Sequence, residues 1–572
     1  MRKITLFIVL TFFCCVALKA QETDMFRLAE TQCPTLPSGL LEAIAFTNTQ
    51  CHHLTDANYH VPANDPSAMP RAYGMMGLVK DGKGYFRENL KTVSKLSGYT
   101  EQEILDDPFV NVLAYAKACE QTALQMEITS KNVEAWIPVI RELSELPLGE
   151  KKDELPMQMM LYSVYDRLGS DLKAIFGDDY PVLSGAEVSL SKETDYPGAI
   201  WVPAAECNYE SRTKEVSAVV IHYTEGSYAG CISWFQNCDA QVSAHYVIRS
   251  YDGQVTQMVR EKDKAWHART ANGYTIGVEH EAYGDIISFF TQEMYCSSAD
   301  LMRSICSRYE VIDGHRTFYR DTLDNGTLLN TGVHPMGGEE GCVKIRGHQH
   351  YPDQTHTDPG PYWNWNYYYK LINISDRPII LDGAGVDEGD LDHLNYTDDE
   401  RLIWVIRGEE GDRIKLDFSS FDLETDYDFL WIYDGDNVFA PKIGRWNTTS
   451  PGSVTSSENA LCVEFRSDCL TTAGGWRAHW TVSHPMHVDT ILIGAPDHGV
   501  VFPNPVGDRL HLNFREQGFY DVLIFDLTGR RLFKGRVLDA AEIDVSHLAH
   551  GTYVVRCKRV KDGCVTEERF VR

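Results

Sequence analysis

Positive charge is what this chain has least of. Its 572 residues carry 53 lysines and arginines against 82 aspartates and glutamates, a formal net charge of −29. Proteins that hold nucleic acid draw affinity from basic patches that neutralise phosphates, so this balance excludes a polyanion binder and no nucleic-acid partner is expected. Long apolar runs are also scarce. Ile4–Leu18 is one, behind Met1-Arg2-Lys3 and ahead of the small residue Ala20. A charged start, a short apolar stretch and a small residue at the cut make residues 1–20 an expected signal peptide. No later run is long enough to cross a bilayer, so no transmembrane segment is expected. The CxxC…CxxC spacing of a structural zinc site is missing as well. Thirteen cysteines follow residue 20, among them the close pairs Cys33/Cys51, Cys231/Cys238, Cys296/Cys306, Cys462/Cys469 and Cys557/Cys564. In an exported chain disulfide staples are their expected use, although spacing does not set connectivity.

At about 100–200 residues per domain the length calls for three or four domains. Beyond the leader, the patterning divides the chain into four blocks. Residues 23–180 read as helical, with Ser38 placed to cap Gly39–Phe46 and further helices at Val110–Met126, Val133–Leu146 and Met157–Leu168. Residues 195–372 mix short strands and helices in an α/β pattern. Val216–His222 is an apolar run ending in histidine, Asp252-Gly253 signals a hairpin, and Ala299–Tyr309 reads as a helix. Residues 374–400, with seven acidic residues between Asp387 and Glu400, read as a solvated linker. Within 379–483, the alternating segments Arg401–Ile406, Arg413–Phe418, Phe429–Tyr433 and Leu461–Phe465 predict a β-sandwich. Residues 498–572 repeat the all-β character, with turns at Pro503-Asn504-Pro505, Thr528-Gly529 and His550-Gly551.

Chemistry concentrates in the α/β block. His222 at a strand end and the segment Gly347-His348-Gln349-His350-Tyr351-Pro352-Asp353-Gln354-Thr355-His356-Thr357-Asp358 offer imidazoles and carboxylates, the usual zinc donors. Taken alone, a histidine-rich segment is equally well a solvated loop.

Residues 215–370 as a whole resemble the zinc-dependent N-acetylmuramoyl-L-alanine amidases, the group that includes peptidoglycan-recognition proteins. The resemblance rests on Ala218-Val219-Val220-Ile221-His222-Tyr223-Thr224, Val242-Ser243-Ala244-His245-Tyr246, Asp263-Lys264-Ala265-Trp266-His267-Ala268, Ile276-Gly277-Val278-Glu279, and Gly347-His348 with Thr357-Asp358-Pro359-Gly360-Pro361. It implies Zn²⁺ held by His222, His348 and Asp358, with His350 and His356 as competitors for the second place. Glu279 takes the acid/base role, with Glu281 a lesser substitute. His356 stands where many relatives carry an oxyanion-holding lysine. Trp266, His267 and Tyr223 are expected to meet substrate, with a satisfied structural histidine the other reading of His267 and His245. The stretch from Glu281 to Gly347 reads as a helix plus a disulfide-braced insertion, with His315 and His334 ordinary loop residues.

Three weaker resemblances flank it. Leu40-Leu41-Glu42-Ala43-Ile44-Ala45 and Tyr73-Gly74-Met75-Met76-Gly77-Leu78 look like the lysozyme-like fold of lytic transglycosylases. Asn48 and Thr49 stand where that family puts a catalytic glutamate and a serine, and an amide cannot protonate a leaving oxygen. Residues 379–483 resemble a CUB domain through Tyr427-Asp428-Phe429-Leu430-Trp431-Ile432-Tyr433-Asp434-Gly435, Phe465-Arg466-Ser467-Asp468 and Gly474-Gly475-Trp476. Its calcium-binding members imply Ca²⁺ at Glu424, Asp428 and Asp468, where solvated acids are the plain alternative. Residues 498–572 look like the C-terminal sorting domain of type IX secretion substrates, a small Ig-like β-sandwich. That implies an outer-membrane bacterium, the type IX machinery as partner, and a secreted or surface-attached product. The expected function is hydrolysis of the muramyl–alanine amide in peptidoglycan or muropeptides. The alternative is a non-catalytic peptidoglycan-binding receptor or adhesin.

Overall fold

The computed structural model describes residues 25–183, 194–284, 286–317, 342–382, 386–483, 501–502, 506–514, 519–526, 531–538, 540–560 and 565–572. The proposed leader, His334, Pro503-Asn504-Pro505 and Thr528-Gly529 lie outside them. Residues up to 483 form one compact unit and those from 484 another.

The first block is helical, as its 3.6-residue periodicity predicts. Its main helices are α1 (Leu40–Thr49), α2 (Pro108–Gln125) and α3 (Lys151–Arg167). Pro108 suits the first turn of α2, where its missing N–H is not needed, and the Asp107 side chain accepts from the N–H groups of Phe109 and Val110. Ser38 does not cap α1. Gly39 occupies the cap position, and its N–H donates to the Glu30 carboxylate at 2.7 Å. A carboxylate from the preceding segment thus takes the N–H of the cap residue itself, and α1 has no side-chain cap.

The α/β block carries a six-stranded mixed sheet. Its strands are β1 (Ala199–Trp201), β2 (Ala218–Tyr223), β3 (Tyr246–Ile248), β4 (Val255–Gln257), β5 (Thr275–His280) and β6 (Ile345–Gly347), in the order β6-β2-β5-β3-β4-β1. The central strand β2 is buried along its whole length, which explains its unbroken apolar run. It pairs in parallel with β6 and β5, in a register that sets His222 beside Glu279. Helix α4 (Tyr228–Phe235) packs against α3 of the helical block, so the two blocks share one hydrophobic core. Helices α5 (Gln292–Arg308) and α6 (Trp365–Ile372) cover the sheet elsewhere. Trp363 and Trp365 are core residues there, 1% and 0% exposed.

Two packed β-sheets follow, closed over Trp404, Leu416, Phe465, Trp476 and Trp480. The acidic stretch is not a linker. Ile379–Asp382 and Glu388–Asp390 are edge strands of this sandwich, and Leu391 and Tyr396 are core residues, so apolar anchors between the acids decide its state. The sandwich is fused to the α/β block. Arg401 bridges Asp376 and Glu464, and Arg466 joins Glu464 to Asn366 of α6. The disulfide Cys342–Cys469 crosses the same junction, and a second joins Cys207 to Cys238. Cys469 thus bonds Cys342 rather than nearby Cys462, and Cys238 bonds Cys207 rather than Cys231. The segment read as a helix plus a disulfide-braced insertion has its helix at Gln292–Arg308, and its Cys342 is tied to the following block. The C-terminal unit holds a three-stranded and a four-stranded sheet.

Candidate active site

The cleft opens where β2, β5 and the segment after β6 end. It measures about 330 Å³ and is lined by His222, Tyr223, Trp266, His267, Glu279, His348, His356 and Asp358, among others. His222 leaves the buried end of β2, and His348 opens a short 3₁₀ turn behind β6. Asp358 returns beside them, its carbonyl accepting from the Gln349 N–H at 3.1 Å. All three are buried, and one ligand atom from each lies within 4.8 Å of the others, a group able to hold a metal ion.

The hydrogen-bond network decides which nitrogens face inward. The Gln354 amide nitrogen donates to the Ala268 and Pro352 carbonyls at 3.1 and 2.9 Å. Its oxygen therefore accepts, and the His348 Nε2–H donates to it at 2.6 Å. Thr275 donates its hydroxyl to the Ala271 carbonyl at 2.9 Å, so it accepts from His267 Nε2 at 3.3 Å. His267 Nδ1 is thereby an acceptor and takes the His222 Nε2 proton at 3.0 Å. With both rings neutral, as metal binding requires, His222 and His348 turn an Nδ1 lone pair toward Asp358, at 2.7 and 3.1 Å from its carboxylate oxygens. Burial and the neighbouring His348 push the His222 pKa down to about 4, so it is neutral near pH 7. Two lone pairs facing a buried carboxylate repel unless a cation lies among them. Two nitrogens and an oxygen suit zinc.

Glu279 lines the cleft beside this trio. Its Oε2 is buried and, among the described residues, has no hydrogen-bond partner. Burial first, then the charges of Asp358 and Glu225, hold its carboxyl well above the usual range. Glu281 lies one residue past the end of β5, so strand alternation does not carry it to the face of Glu279. Its carboxylate accepts from the N–H groups of Tyr228 and Ser250, both at 2.8 Å. His356 stacks on His348 with ring centroids 4.8 Å apart, and its Nδ1 lies 3.9 Å from Asp358. Burial lowers its pKa, which leaves a neutral imidazole at the cleft.

The other histidines sort cleanly. His350 accepts the Gly347 N–H at 3.0 Å and packs against Trp365, away from the trio. His245 is fully buried, accepts from the Gly277 N–H at 3.0 Å, and is pushed down to about 3 by burial and Arg212. His315 pairs with Asp313 and Asp376. Gly277 makes room for His267, since a Cβ there would lie 2.5 Å from the imidazole. Gln354 went unnoticed in the sequence. A glutamine between two histidines carries no periodic signal, and only the folded turn gives it a partner.

Asn48 and Thr49 have structural work. Asn48 donates to the Met76 carbonyl at 3.0 Å, and Thr49 donates to the Met75 carbonyl at 2.6 Å. Asn48 lines a cavity of about 20 Å³ between the helical and α/β blocks, beside Arg249 and Glu281. In the sandwich Glu424, Asp428 and Asp468 converge within 4.8 Å. Burial, helped by the two other carboxylates, pushes Asp428 up to about 7.

Two imidazoles and a carboxylate converging beside an orphaned carboxylate, in a cleft at the ends of parallel strands, form a site able to support hydrolysis. Comparison with known proteins specifies it. The N-acetylmuramoyl-L-alanine amidase family model matches residues 212–361. N-acetylmuramoyl-L-alanine amidase A of Achromobacter lyticus is 42% identical over 180 residues, 31% of this chain and 96% of that protein. The chain belongs to this amidase family, and it hydrolyses the amide between N-acetylmuramic acid and L-alanine in peptidoglycan. A CUB domain matches residues 390–480, and a secretion-system C-terminal sorting domain matches 500–571. Pig cubilin is 34% identical over 97 residues, 16% of this chain but 3% of its own length. The solved structure of PlyL is similar over 29% of this chain and 88% of its own, at 16% identity and a TM-score of 0.20. The sorting domain indicates type IX secretion and an extracellular or surface location. No helix among the described residues is long and apolar enough to cross a membrane.

Proposed function

We propose that the trio of His222, His348 and Asp358 binds Zn²⁺ and that Glu279 and His356 carry the proton and charge work of the amidase. The observation that supports this most directly is the pair of Nδ1 lone pairs turned on a buried carboxylate. Zinc, when bound, supplies Lewis acidity, polarising a carbonyl and lowering the pKa of water. Glu279 accepts a proton from the water that attacks the lactyl carbonyl. As the carbon–nitrogen bond breaks, it returns that proton to the L-alanine nitrogen, giving a lactyl carboxylic acid and a free stem peptide. The His356 N–H donates to the oxyanion that develops on the carbonyl oxygen. His267 and Gln354 hold the ring nitrogens of His222 and His348 in the required tautomer. Trp266 and Tyr223 bind substrate along the cleft. Ca²⁺ at Glu424, Asp428 and Asp468 neutralises the three carboxylates of the CUB domain.

The helical block serves in this reading as a lysozyme-like scaffold without glycosidase chemistry. Residues 1–20 direct export in an outer-membrane bacterium, ahead of the type IX step. Mass spectrometry of defined muropeptides tests the proposal. Release of free stem peptide should vanish with a chelator and return with zinc. Intact substrate under every condition would favour a peptidoglycan-binding receptor instead.

A further inference from the structure

The amidase cleft is not built by the α/β block alone. Residues 60–69 of the helical block run along it, and His60, Asp65, Ser67 and Met69 line it together with Trp266 and His356. This segment is fastened along its length. The Glu225 carboxylate accepts from the N–H groups of His60 and Val61 at 2.6 and 3.2 Å. The Trp234 Nε1–H donates to the Ser67 carbonyl at 3.2 Å. Lys83 donates to the Asp65 and Ala68 carbonyls at 2.8 and 2.7 Å. Met69 fits where Gly226 has no side chain, since a Cβ there would lie 1.5 Å from the Met69 methyl.

Asp65 is the carboxylate this wall brings to the cleft. Its Oδ1 accepts from the N–H and the hydroxyl of Ser67 at 2.8 and 2.5 Å. Against partial burial, the two Ser67 bonds, helped by the nearby Lys83 ammonium, hold the carboxyl below its usual range. Lys83 is near enough to act on this carboxyl through its charge, but its hydrogen bonds, like those of Arg269, go to other acceptors. Lys83 serves the two backbone carbonyls, and Arg269 donates to the Asp353 carbonyl and the Thr355 hydroxyl. A fixed anionic acceptor on a cleft wall, near the reacting end, complements a cationic donor on the bound molecule.

We propose that residues 60–69 form a substrate-binding wall of the amidase and that Asp65 is a specificity-determining residue taking an ammonium group of the stem peptide. This rests on the amidase reading and extends it, because part of the specificity then comes from outside the family's own block. The test uses the full chain with zinc and two muropeptides, one with a free side-chain amine and one with that amine N-acetylated. Stem-peptide release gives kcat and KM for wild type, Asp65→Asn, Gly226→Ala and, as control, Lys91→Gln on an exposed helix face.

Wild type should show a KM about tenfold lower for the free amine, the worth of one charge-assisted hydrogen bond. Asp65→Asn should bring the two KM values together while kcat stays within about twofold. Gly226→Ala, which displaces Met69, should raise KM for both substrates, and Lys91→Gln should change neither constant. An Asp65→Asn enzyme that keeps the wild-type ratio, or a wild type without preference, overturns the proposal. A wild type that cleaves neither muropeptide overturns the amidase reading beneath it, so the two failures are distinguishable.

Discussion

Replacing Glu279 by glutamine should move activity and stability in opposite directions. The side chain keeps its volume but loses both the charge and the proton acceptor. In the metal-free protein Oε2 is buried without a hydrogen-bond partner among the described residues, beside the charges of Asp358 and Glu225. An unsatisfied buried polar group costs about 1–3 kcal/mol, and more when charged. The sign of the pH dependence comes from the raised folded pKa. Below the unfolded value of about 4.3 both states are protonated and the charge penalty is absent. The penalty grows as pH rises above that value and is complete only above the folded pKa. Glu279→Gln should therefore stabilise the metal-free chain by about 1–3 kcal/mol at pH 7.5 and by little near pH 4. Urea denaturation after chelation, at both pH values, reads this directly. With zinc restored, kcat should fall by about 10²–10⁴, the usual worth of a general base, while metal content stays at one per chain. A variant that loses stability and activity together would make Glu279 a structural residue, and unchanged turnover would remove it from the mechanism.

Gln354→Leu should weaken zinc affinity by about 10–100-fold through His348 without removing a ligand, as competition with a chromophoric chelator would report. Glu464→Gln should destabilise the junction of the amidase and CUB blocks by about 3–5 kcal/mol. It leaves Arg401 and Arg466 buried without their shared carboxylate, and a downward shift of the denaturation midpoint checks this. Cys469→Ser, opening a closure between residues 127 apart, should cost about 4–5 kcal/mol by the chain-entropy argument, read in the same assay. Calcium should raise the melting temperature of the wild type but not of Asp428→Asn, a difference visible by calorimetry with and without a calcium chelator.

Local pattern controls the features that could be read in the sequence. The apolar run of β2, the Asp252-Gly253 hairpin and the helical periods each name their own secondary structure, because the preference is settled within a few residues. The ordered motifs placed His222, Glu279, His348 and Asp358 together, and the structure brings all four to one cleft. Where the sequence misled or left the outcome open, partners outside the local pattern decided it. Cys342 bonds Cys469 across a block boundary, a connectivity spacing does not set, and the apolar anchors Leu391 and Tyr396 draw an acidic stretch into a sandwich.

The helical block shows the same limit at a larger scale. Its short motifs direct attention to Asn48 and Thr49, whose side chains bond the Met76 and Met75 carbonyls. Asn48 lines a small cavity at the boundary with the α/β block, whereas the segment that reaches the catalytic cleft is the irregular stretch 60–69, without helical or strand period. Its place depends on bonds to Glu225 and Trp234, more than 160 residues away. The enclosing contacts also explain why the two blocks share one core: α4 must pack on α3 for Gly226 and Trp234 to receive the segment. The helical block contributes to the molecule through a segment that lines its neighbour's cleft. The molecule is then one composite amidase rather than two enzymes in tandem.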